Sequence, residues 1–351
     1  MSEGERGLTV AVTGPTGTFG FGLIPLLQAD ERIARIIGIA RRPFDPAGYG
    51  WTKLEYRRGD VRDPAALREA FEAADVVVHL AFLITGAAPA NELRAVNVEG
   101  TLNAFRAAAA AGARRFVYAS SVAAYGFHPD NPVGMTEDWP VRPAARLFYA
   151  KEKAELEHLL QAEAASAKTA SAEAAKGPPA AAPALYLLRP PIVLGPHALG
   201  AKDLLPGPLA PLGRGLASLA TRAGQAARAG RIPRFPVLIP PMPFQCVHEQ
   251  DLGDAFVRCV VATGPPGAYN VAADGILTSA DVAREFGLRP LPLPAGPAQL
   301  AARAVAALPF LPPAAQWVEA ATHPAIMDTT KARNELGWTP RYTALDALRD
   351  T

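Results

Sequence analysis

The sequence predicts an α/β fold, in which a doubly wound parallel sheet carries helices on both faces and a smaller α/β lobe follows towards the carboxyl end. Two observations support this prediction. In the first third of the 351 residues, short β-branched runs alternate with Ala- and Leu-rich stretches of helical length, a pattern typical of parallel sheets covered by helices. From Pro190 onward, proline and glycine become frequent and this alternation ends.

Five strands and three helices are predicted in order along the first third. The predicted strands are Leu8–Val12, Ile36–Ala40, Leu54–Arg57, Val76–Leu80 and Phe116–Ala119. The predicted helices are Phe21–Ala29, Pro64–Ala73 and Asn91–Ala111. Asp63 followed by Pro64 is a typical helix start, because aspartate can cap the free N–H groups of the first turn and proline has none to cap. A fourth helix begins near Tyr149, and a strand resumes at Leu185–Leu188.

The chain is expected to divide into two interleaved lobes. Residues 1–190 form the predicted sheet domain, and segments near 244–273 are expected to return to it. Residues 191–243 and 274–351 form the predicted substrate lobe, in which the apolar segment 301–317 is expected to be a covering helix. The range 161–183 is an Ala-rich insert, with 11 alanines in 23 residues, whose first half can extend a helix and whose second half is expected to be a mobile loop.

Composition argues against several classes of partner. Lys and Arg number 35 against 33 Asp and Glu, a net charge of +2, which provides no basic surface for nucleic acid. The two cysteines, Cys246 and Cys259, cannot form a disulfide framework, and no zinc-type spacing occurs. The uncharged segment 7–29 is rich in Gly, Thr and Pro, unlike a membrane helix or an export signal. A cytoplasmic protein with no metal, membrane or nucleic-acid partner is expected.

A glycine-rich loop between the first strand and the first helix is the strongest local signal. In the sequence TGPTGTFG, Gly14 permits a tight turn, Gly17 lets backbone N–H groups approach a pyrophosphate, and Gly20 lets the helix pack close to the sheet. The alternative is a glycine-rich turn that binds nothing. The residues expected to contact a dinucleotide here are Gly14, Thr16, Gly17, Thr18, Phe19 and Gly20.

Two arginines end the second predicted strand. Proteins that bind NAD usually place an acidic residue there for the ribose 2′-hydroxyl, whereas this chain has Arg41 and Arg42. Guanidinium groups match a 2′-phosphate in charge and in geometry, so the sequence predicts NADP, with NAD as a possibility. The alternative is a solvated pair of loop arginines.

A tyrosine and a lysine four residues apart, Tyr149 and Lys153, share one face of the fourth predicted helix. An ammonium near a phenol makes the phenolate less costly, so Tyr149 could act as a general acid or base near neutral pH. Ser121 follows the fifth strand, at the edge where open α/β sheets bind their ligands, and is predicted to lie opposite Tyr149. Its neighbour Ser120 could equally be a structural hydroxyl at a strand end.

Together, these ordered motifs resemble the extended short-chain dehydrogenase/reductase family, also described as NAD-dependent epimerases and dehydratases. Further similar segments are Gly59–Val61, His79–Ala81, Asn97–Thr101, Leu188–Pro190, Gly195–Pro196, Tyr269–Val271 and Leu336–Pro340. The resemblance implies a Rossmann-type fold, a nicotinamide cofactor, a small-molecule substrate, a possible homodimer, and Ser121, Tyr149 and Lys153 as catalytic residues. It also implies cofactor contacts from Asp60, Val61, Leu80, Ala81, Phe82, Asn97, Tyr149, Lys153 and Pro190.

Two departures from the family pattern narrow the expected reaction. Members that bind nucleotide sugars typically carry an asparagine where this chain has Ile192, and the sugar dehydratases carry an acidic pair where it has Val122 and Ala123. We therefore expect an NAD(P)-dependent reductase or dehydrogenase acting on a small hydroxylated substrate. The alternatives are a sugar or nucleotide-sugar epimerase that retains NAD, and a non-catalytic NADP-binding scaffold.

Four other polar residues are weaker candidates for the site. His197 and His248 could line the substrate cleft but are not expected to be catalytic, and Asp251 is expected to cap the helix after His248. Glu137 and Asp138, in the loop before Tyr149, could face a polar substrate, but solvation is expected.

Overall fold

The computed structural model describes residues 7–84, 89–145, 147–173, 182–198, 226, 229, 233–240, 242–292 and 323–351. The segment 301–317 and most of the second half of the Ala-rich insert lie outside these ranges, as does much of the predicted substrate lobe. The division into lobes therefore stays a prediction.

The sheet domain and its continuation contain these described elements. The strands are β1 (Leu8–Thr13), β2 (Ile33–Ala40), β3 (Leu54–Arg58), β4 (Val76–His79), β5 (Arg115–Ala119), β6 (Ala184–Arg189), β7 (Ile192–Leu194), β8 (Pro236–Ile239), β9 (Pro243–Phe244), β10 (Cys246–His248), β11 (Gly267–Asn270), β12 (Leu277–Thr278) and β13 (Arg289–Pro292). The helices are α1 (Thr18–Ala29), α2 (Pro64–Phe71), α3 (Ala90–Arg94), α4 (Gly100–Ala110), α5 (Phe148–Glu173), α6 (Glu249–Val260), α7 (Ser279–Glu285), α8 (Thr330–Leu336) and α9 (Ala344–Arg349). A π-helical turn, Ala95–Glu99, joins α3 to α4.

Seven parallel strands form the central sheet in the order β11-β6-β5-β4-β1-β2-β3. The order runs outward from β1 in both directions, which is the arrangement of a doubly wound sheet. The predicted fold class is confirmed. Outside this sheet, the described strands pair as β7 with β10, β9 with β12, and β8 with β13.

A separate apolar core lies on each face of the sheet, because neighbouring residues of a strand point to opposite sides. Val10 and Val12 of β1 pack on one face with residues of α1 and α6. Ala11, between them, packs on the other face with residues of α2, α4 and α5. Helices therefore cover both faces, and the loops at the strands' carboxyl ends are left to form a site.

Helices α1 and α6 cross at two glycines. A Cβ added to Gly253 would lie 2.2 Å from the carbonyl oxygen of Gly22, and one added to Gly22 would lie 2.1 Å from that of Glu249. No larger residue fits without moving the backbones apart. This contact brings the later part of the chain against the helix that follows the glycine loop.

Two predicted helix starts were wrong. Helix α1 begins at Thr18 rather than Phe21, because the glycine loop leads straight into the first turn. Helix α6 begins at Glu249, and its N-cap is His248, whose Nδ1 accepts a hydrogen bond from the Gln250 N–H at 3.2 Å. Asp251 lies inside the first turn, where its carboxylate accepts hydrogen bonds from the backbone of Arg341 and Tyr342. Within the described ranges, no helix combines the length and hydropathy that a membrane crossing requires.

Candidate active site

The predicted site residues follow the carboxyl ends of neighbouring parallel strands. The glycine loop follows β1, Arg41 and Arg42 follow β2, Leu80 to Phe82 follow β4, Ser121 follows β5, and Pro190 follows β6. Carboxyl ends of parallel strands meet at one edge of the sheet, where this class of fold binds ligands. The structure thus brings the predicted residues to a common edge.

The glycine loop leaves the start of α1 without a side-chain cap. Gly14 has a φ of +70°, and a Cβ there would lie 3.0 Å from the Ala81 backbone nitrogen. A Cβ on Gly17 would meet only the Gly14 carbonyl oxygen, at 3.6 Å. Gly17 is also the N-cap of α1, and no side chain caps that helix. The uncapped N–H groups and the positive end of the helix dipole suit an anion.

Two side chains of the loop contact other parts of the protein, and a third position has no space for one. The Thr18 hydroxyl donates to the His197 carbonyl oxygen at 2.8 Å. The Phe19 ring packs against Phe256, with a centroid distance of 6.4 Å. Gly20 cannot carry a side chain, since its Cβ would lie 2.1 Å from the Pro15 carbonyl oxygen.

The two arginines after β2 lie on the surface, and their backbone is held from β3. Arg58 Nε donates to the Arg41 carbonyl oxygen at 3.1 Å, and the Tyr56 hydroxyl donates to the Arg42 carbonyl oxygen. Among the described residues, neither Arg41 nor Arg42 forms an ion pair. Both guanidinium groups can therefore meet an anionic ligand without first leaving a protein carboxylate.

The predicted cofactor contacts Asp60 and Val61 are more constrained. Arg62 donates two side-chain hydrogen bonds to the Asp60 carboxylate, at 3.1 and 2.8 Å, and these lower the pKa of Asp60. Val61 is 7% exposed and packs in the core on the α2 side of the sheet. Its carbonyl oxygen accepts from Asn103 at 3.3 Å, so the backbone N–H of Val61 is its remaining polar group.

Ser121 and Tyr149 meet at the centre of the site. The Ser121 hydroxyl lies within hydrogen-bonding reach of the Tyr149 phenol, and both side chains are buried, with exposed fractions of 6% and 7%. The Ser121 hydroxyl oxygen also accepts from the Ala123 N–H at 3.1 Å, so it starts a short turn at Val122–Tyr125. Burial raises the pKa of Tyr149 to about 12, and the Ser121 hydrogen bond opposes this rise. The pairing of Ser121 with Tyr149 predicted from sequence is present.

Lys153 lies one helical turn beyond Tyr149 and is enclosed. Its Nζ donates to the Ala119 carbonyl oxygen at 2.6 Å and to the Tyr118 hydroxyl at 3.2 Å. The same nitrogen lies 3.7 Å from the centre of the Phe82 ring, a cation–π contact. Burial lowers the pKa of Lys153 to about 7, and the nearby carboxylates of Glu157 and Glu152 oppose this.

This arrangement corrects one expectation about the pair. The spacing predicts that the Lys153 ammonium lowers the pKa of the Tyr149 phenol. In the structure, Lys153 Nζ lies 5.7 Å from the centre of the Tyr149 ring and donates hydrogen bonds to the Ala119 carbonyl oxygen and the Tyr118 hydroxyl. The pKa of Tyr149 is raised instead, because burial outweighs the hydrogen bond from Ser121. Both groups are therefore desolvated, and both favour their neutral forms.

Asn97 supports the loop after β4. Its side chain accepts from the Leu83 N–H at 2.7 Å and donates to the Leu83 carbonyl oxygen at 3.1 Å and to Glu152 at 2.7 Å. Asn97 lies in the π-helical turn, a feature that is frequent at functional sites. All the polar atoms of its amide have protein partners. Pro190 has a comparable role, since its carbonyl oxygen accepts from the Val122 N–H at 2.9 Å, next to Ser121.

Sequence reasoning missed a buried ion pair beneath the site. Arg189 donates to both oxygens of Glu157, at 2.9 and 2.5 Å, and to the Tyr125 hydroxyl at 2.6 Å. Ser120 completes the set by donating to Glu157 at 2.5 Å. Ser120 is thus structural, as the alternative reading allowed, but it bonds a side chain rather than the backbone. The available signal was the position of Glu157, four residues after Lys153 on the same helix.

The immediate surroundings of Tyr149 are apolar. Its ring packs edge to face on Phe82, with a centroid distance of 5.5 Å. Ile84, Phe127 and Phe148 pack against the same small cluster of buried residues. Ile192 takes the place of the asparagine expected in an enzyme that binds a nucleotide sugar, and its side chain is 53% exposed.

The remaining candidates have structural partners. His197 Nδ1 contacts the Glu249 carboxylate at 2.7 Å, and His248 Nε2 contacts that of Asp350 at 2.9 Å. Glu137 is partly buried and accepts from the Asn270 N–H at 2.7 Å, whereas Asp138 is exposed. Cys246 and Cys259 are free and buried. Across the described ranges, no group of three or more His, Cys, Asp or Glu side chains could hold a metal ion.

Comparison with known proteins gives a consistent picture. An uncharacterized protein of Mycobacterium tuberculosis is 28% identical over 97% of this chain and 82% of its own length. Sterol demethylase protein B of Methylococcus capsulatus is 35% identical over 154 residues, 43% of this chain and 45% of that protein. The solved structure of MoeE5 in complex with UDP-glucuronic acid and NAD aligns with a TM-score of 0.65 and 23% identity, covering 98% of this chain and 97% of the other, which supports the fold.

The sequence match to a family model falls on the part of the chain that builds the site. Residues 10–179 match the NAD dependent epimerase/dehydratase family. This range contains the glycine loop, Ser121, Tyr149 and Lys153. This match, over just under half of the chain, confirms the resemblance that the motifs predicted, to the NAD-dependent epimerase/dehydratase family of extended short-chain dehydrogenases/reductases.

Proposed function

We propose that the chain is an NADP(H)-dependent oxidoreductase that interconverts a carbinol and a carbonyl group on a small substrate. The observation that carries the proposal is the placement of the buried Ser121 hydroxyl beside the buried Tyr149 phenol, with Lys153 one helical turn away, at the sheet edge that also holds the glycine loop. A proton donor, a hydrogen-bond donor and an amine whose pKa is about 7 are thus placed together among buried residues. A carbonyl oxygen that gains negative charge is stabilised by such groups.

The chain's own residues have distinct roles in this proposal. During reduction of a carbonyl, the Tyr149 phenol donates its proton to the substrate oxygen, and during oxidation of a carbinol the phenolate takes the proton back. Ser121 donates a hydrogen bond to the same oxygen. When bound, the nicotinamide supplies or accepts the hydride. The glycine loop, Arg41 and Arg42 would hold the dinucleotide, and Lys153 would hold its nicotinamide ribose.

The preference for NADP is supported by charge. The described end of β2 has two exposed arginines that form no ion pair with a described residue, although Arg41 lies near enough to Asp60 to lower the pKa of its carboxyl group. NAD-binding proteins usually have an acid at this place. The NAD in the MoeE5 structure belongs to that protein and leaves the preference of this chain to be measured.

The apolar surroundings of Tyr149 favour net redox chemistry on a largely apolar carbinol. No carboxylate follows Ser121 to drive loss of water, and Ile192 offers no hydrogen bond to a sugar or phosphate. A partial relative is named as a sterol demethylase protein, which agrees with an apolar substrate. The second candidate is an epimerase that retains its cofactor, and it is favoured by the fold shared with a structure holding a nucleotide sugar.

A turnover assay tests the proposal. Purified protein is supplied with reduced or oxidised cofactor and a panel of apolar and sugar-like carbonyls and carbinols, and the absorbance of the reduced nicotinamide is followed. We expect a net absorbance change that Tyr149→Phe reduces by about 100-fold or more, the typical contribution of a positioned general acid. Conversion of a substrate at constant absorbance, with cofactor released only on denaturation, would establish the epimerase. If no substrate of the panel is converted although the cofactor binds tightly, a non-catalytic NADP-binding scaffold is favoured.

A further inference from the structure

A chain of buried hydrogen bonds crosses the sheet edge through His79, at the end of β4. His79 Nδ1 lies 2.8 Å from the Thr13 hydroxyl, and Nε2 lies 3.0 Å from the Thr101 hydroxyl. All three side chains are 1% exposed or less. Thr13 ends β1 just before the glycine loop, and Thr101 lies on α4 just after the π-helical turn.

The partners of the two threonines fix the direction of every proton in this chain. Thr101 donates its single hydroxyl proton to the Asn97 carbonyl oxygen at 2.5 Å, so towards His79 it can only accept. Nε2 therefore carries the ring proton, and Nδ1 accepts from Thr13. The Thr13 oxygen in turn accepts from the Leu80 and Ala81 N–H groups, each at 3.2 Å. Burial lowers the pKa of His79 to about 3, so the ring stays neutral.

The two ends of the hydrogen-bond chain hold the two ends of one segment. On one side, Thr13 holds Leu80 and Ala81, against which the Gly14 turn packs. On the other side, the Asn97 side chain holds both backbone groups of Leu83. Asn97 also donates to Glu152, the residue before Lys153.

Phe82 lies inside the segment 80–83, so the position of this segment also determines the position of the Phe82 ring that covers Lys153. The distance from that ring's centre to Lys153 Nζ is 3.7 Å. A displacement of the segment by a fraction of that distance would alter both the surface offered to a dinucleotide and the cover over the ammonium.

We propose that His79 is a positioning residue that couples the cofactor loop to the catalytic helix. Its Nδ1 fixes the cofactor end of the segment 80–83, and its Nε2 fixes the end next to Asn97, Glu152 and Lys153. The proposal rests on the proposed function only in assigning a dinucleotide to the glycine loop. The hydrogen bonds themselves belong to the protein alone.

Two substitutions separate the roles of the two ring nitrogens. His79→Asn keeps an acceptor near the position of Nδ1 and loses the donor to Thr101, whereas His79→Gln keeps a donor near Nε2 and loses the acceptor for Thr13. For His79→Gln we expect the Kd of the dinucleotide to rise by about tenfold with little change in kcat, since about one buried hydrogen bond is lost. For His79→Asn we expect kcat to fall by about tenfold with little change in Kd.

Near-isosteric threonine variants are the matched controls. Thr13→Val should reproduce the His79→Gln result, and Thr101→Val the His79→Asn result. If all four variants only lower Tm, or if both His79 variants change Kd and kcat in the same proportion, His79 is merely structural and the proposal is wrong.

Nitrogen NMR of histidine-labelled protein tests the proton order without any cofactor. We expect one ring, absent from His79 variants, with its proton on Nε2 and no titration over the pH range in which the protein stays folded. A proton on Nδ1, or a titrating ring, would overturn the proposal. A wild-type protein that binds no dinucleotide would contradict the proposed function, while the NMR result still decides the order of the hydrogen bonds.

Discussion

Ser120 and Ser121 are adjacent hydroxyls in different surroundings, and they should respond differently to the loss of their oxygens. Ser121 contacts Tyr149, whereas Ser120 donates to the buried Glu157 carboxylate. Ser121→Ala should lower kcat by about 100-fold, the scale of a lost donor to a developing oxyanion, and should lower the free energy of unfolding by about 1 kcal/mol through the lost hydrogen bond to Ala123. Ser120→Ala should instead lower the free energy of unfolding by about 1–3 kcal/mol, with most activity kept. Turnover and thermal unfolding of both variants check this, and equal activity losses would contradict the assigned roles.

The buried Lys153 should make stability depend on pH. Its pKa falls from the ordinary 10.5 to about 7 on folding. Between these values the unfolded chain binds a proton that the folded chain lacks, so the free energy of unfolding rises as pH rises through this window. Relative to Lys153→Met, the wild type should gain about 1.4 kcal/mol per pH unit there. Urea unfolding at several pH values measures this.

The exposed neighbour Lys151→Met, on the same helix, gives the baseline for that series. If the difference in the free energy of unfolding between wild type and Lys153→Met does not change with pH, the pKa of Lys153 in the folded protein is not lowered, which would contradict this prediction.

At the residue scale, sequence reasoning succeeded where spacing decides the outcome and failed where the fold decides it. The four-residue interval predicted that Tyr149 and Lys153 share a helix face, and the end of β5 predicted a hydroxyl beside Tyr149. The hydrogen bond from Lys153 to the Ala119 carbonyl oxygen was not predicted, because it depends on how α5 packs on the sheet. Likewise, Arg189 meets Glu157 across 32 residues of sequence, and no local pattern predicts that contact.

At the scale of elements, α5 is fixed to β6 by the Glu157–Arg189 pair. Both side chains are 4% exposed or less. Glu157→Gln leaves a buried guanidinium without its counter-charge, so we expect a loss of about 3 kcal/mol or more in the free energy of unfolding. Glu163→Gln is the matched control, because Glu163 lies on the same helix and pairs with Arg106, whose side chain is 58% exposed.

The control should cost less than about 0.5 kcal/mol, the scale of an exposed ion pair. Chemical denaturation of both variants measures the contrast. Equal losses from Glu157→Gln and Glu163→Gln would mean that the buried pair contributes no more than a surface pair.

Element boundaries show which local signals sequence reasoning undervalued. Asp63 was recognised as a cap, and it accepts from the N–H groups of Ala65 and Ala66. The cap of α6 is the imidazole of His248, an uncommon capping group, and the carboxylate of Asp251 is used for a tertiary contact with the chain near Arg341. A cap was expected at Asp251 because the preference for aspartate is local, whereas its partner is 90 residues away.

At the scale of the whole molecule, the parallel sheet was predictable and the substrate lobe was not. Alternating strands and helices with short connections allow few topologies, and the right one followed from them. The predicted second lobe shows no such alternation, because its proline- and glycine-rich sequence has no regular hydrophobic periodicity from which strands and helices could be predicted. The predicted homodimer and cytoplasmic location stay predictions. The identity of the substrate depends on the second lobe, for which the sequence predicts the fewest elements.

A cofactor titration tests the central claim, a dissociable NADP(H) at the site, most directly. The Kd values of wild type for NADPH, NADP, NADH and NAD are compared with those of Arg41→Ala and of Arg32→Ala, an exposed arginine near the opposite end of β2. We expect NADPH to bind about tenfold or more tightly than NADH, as one charged hydrogen bond to the 2′-phosphate would give. Arg41→Ala should lose this preference and Arg32→Ala should keep it. Tighter binding of NADH, or NAD that is already bound in the purified protein and does not exchange, would contradict the claim.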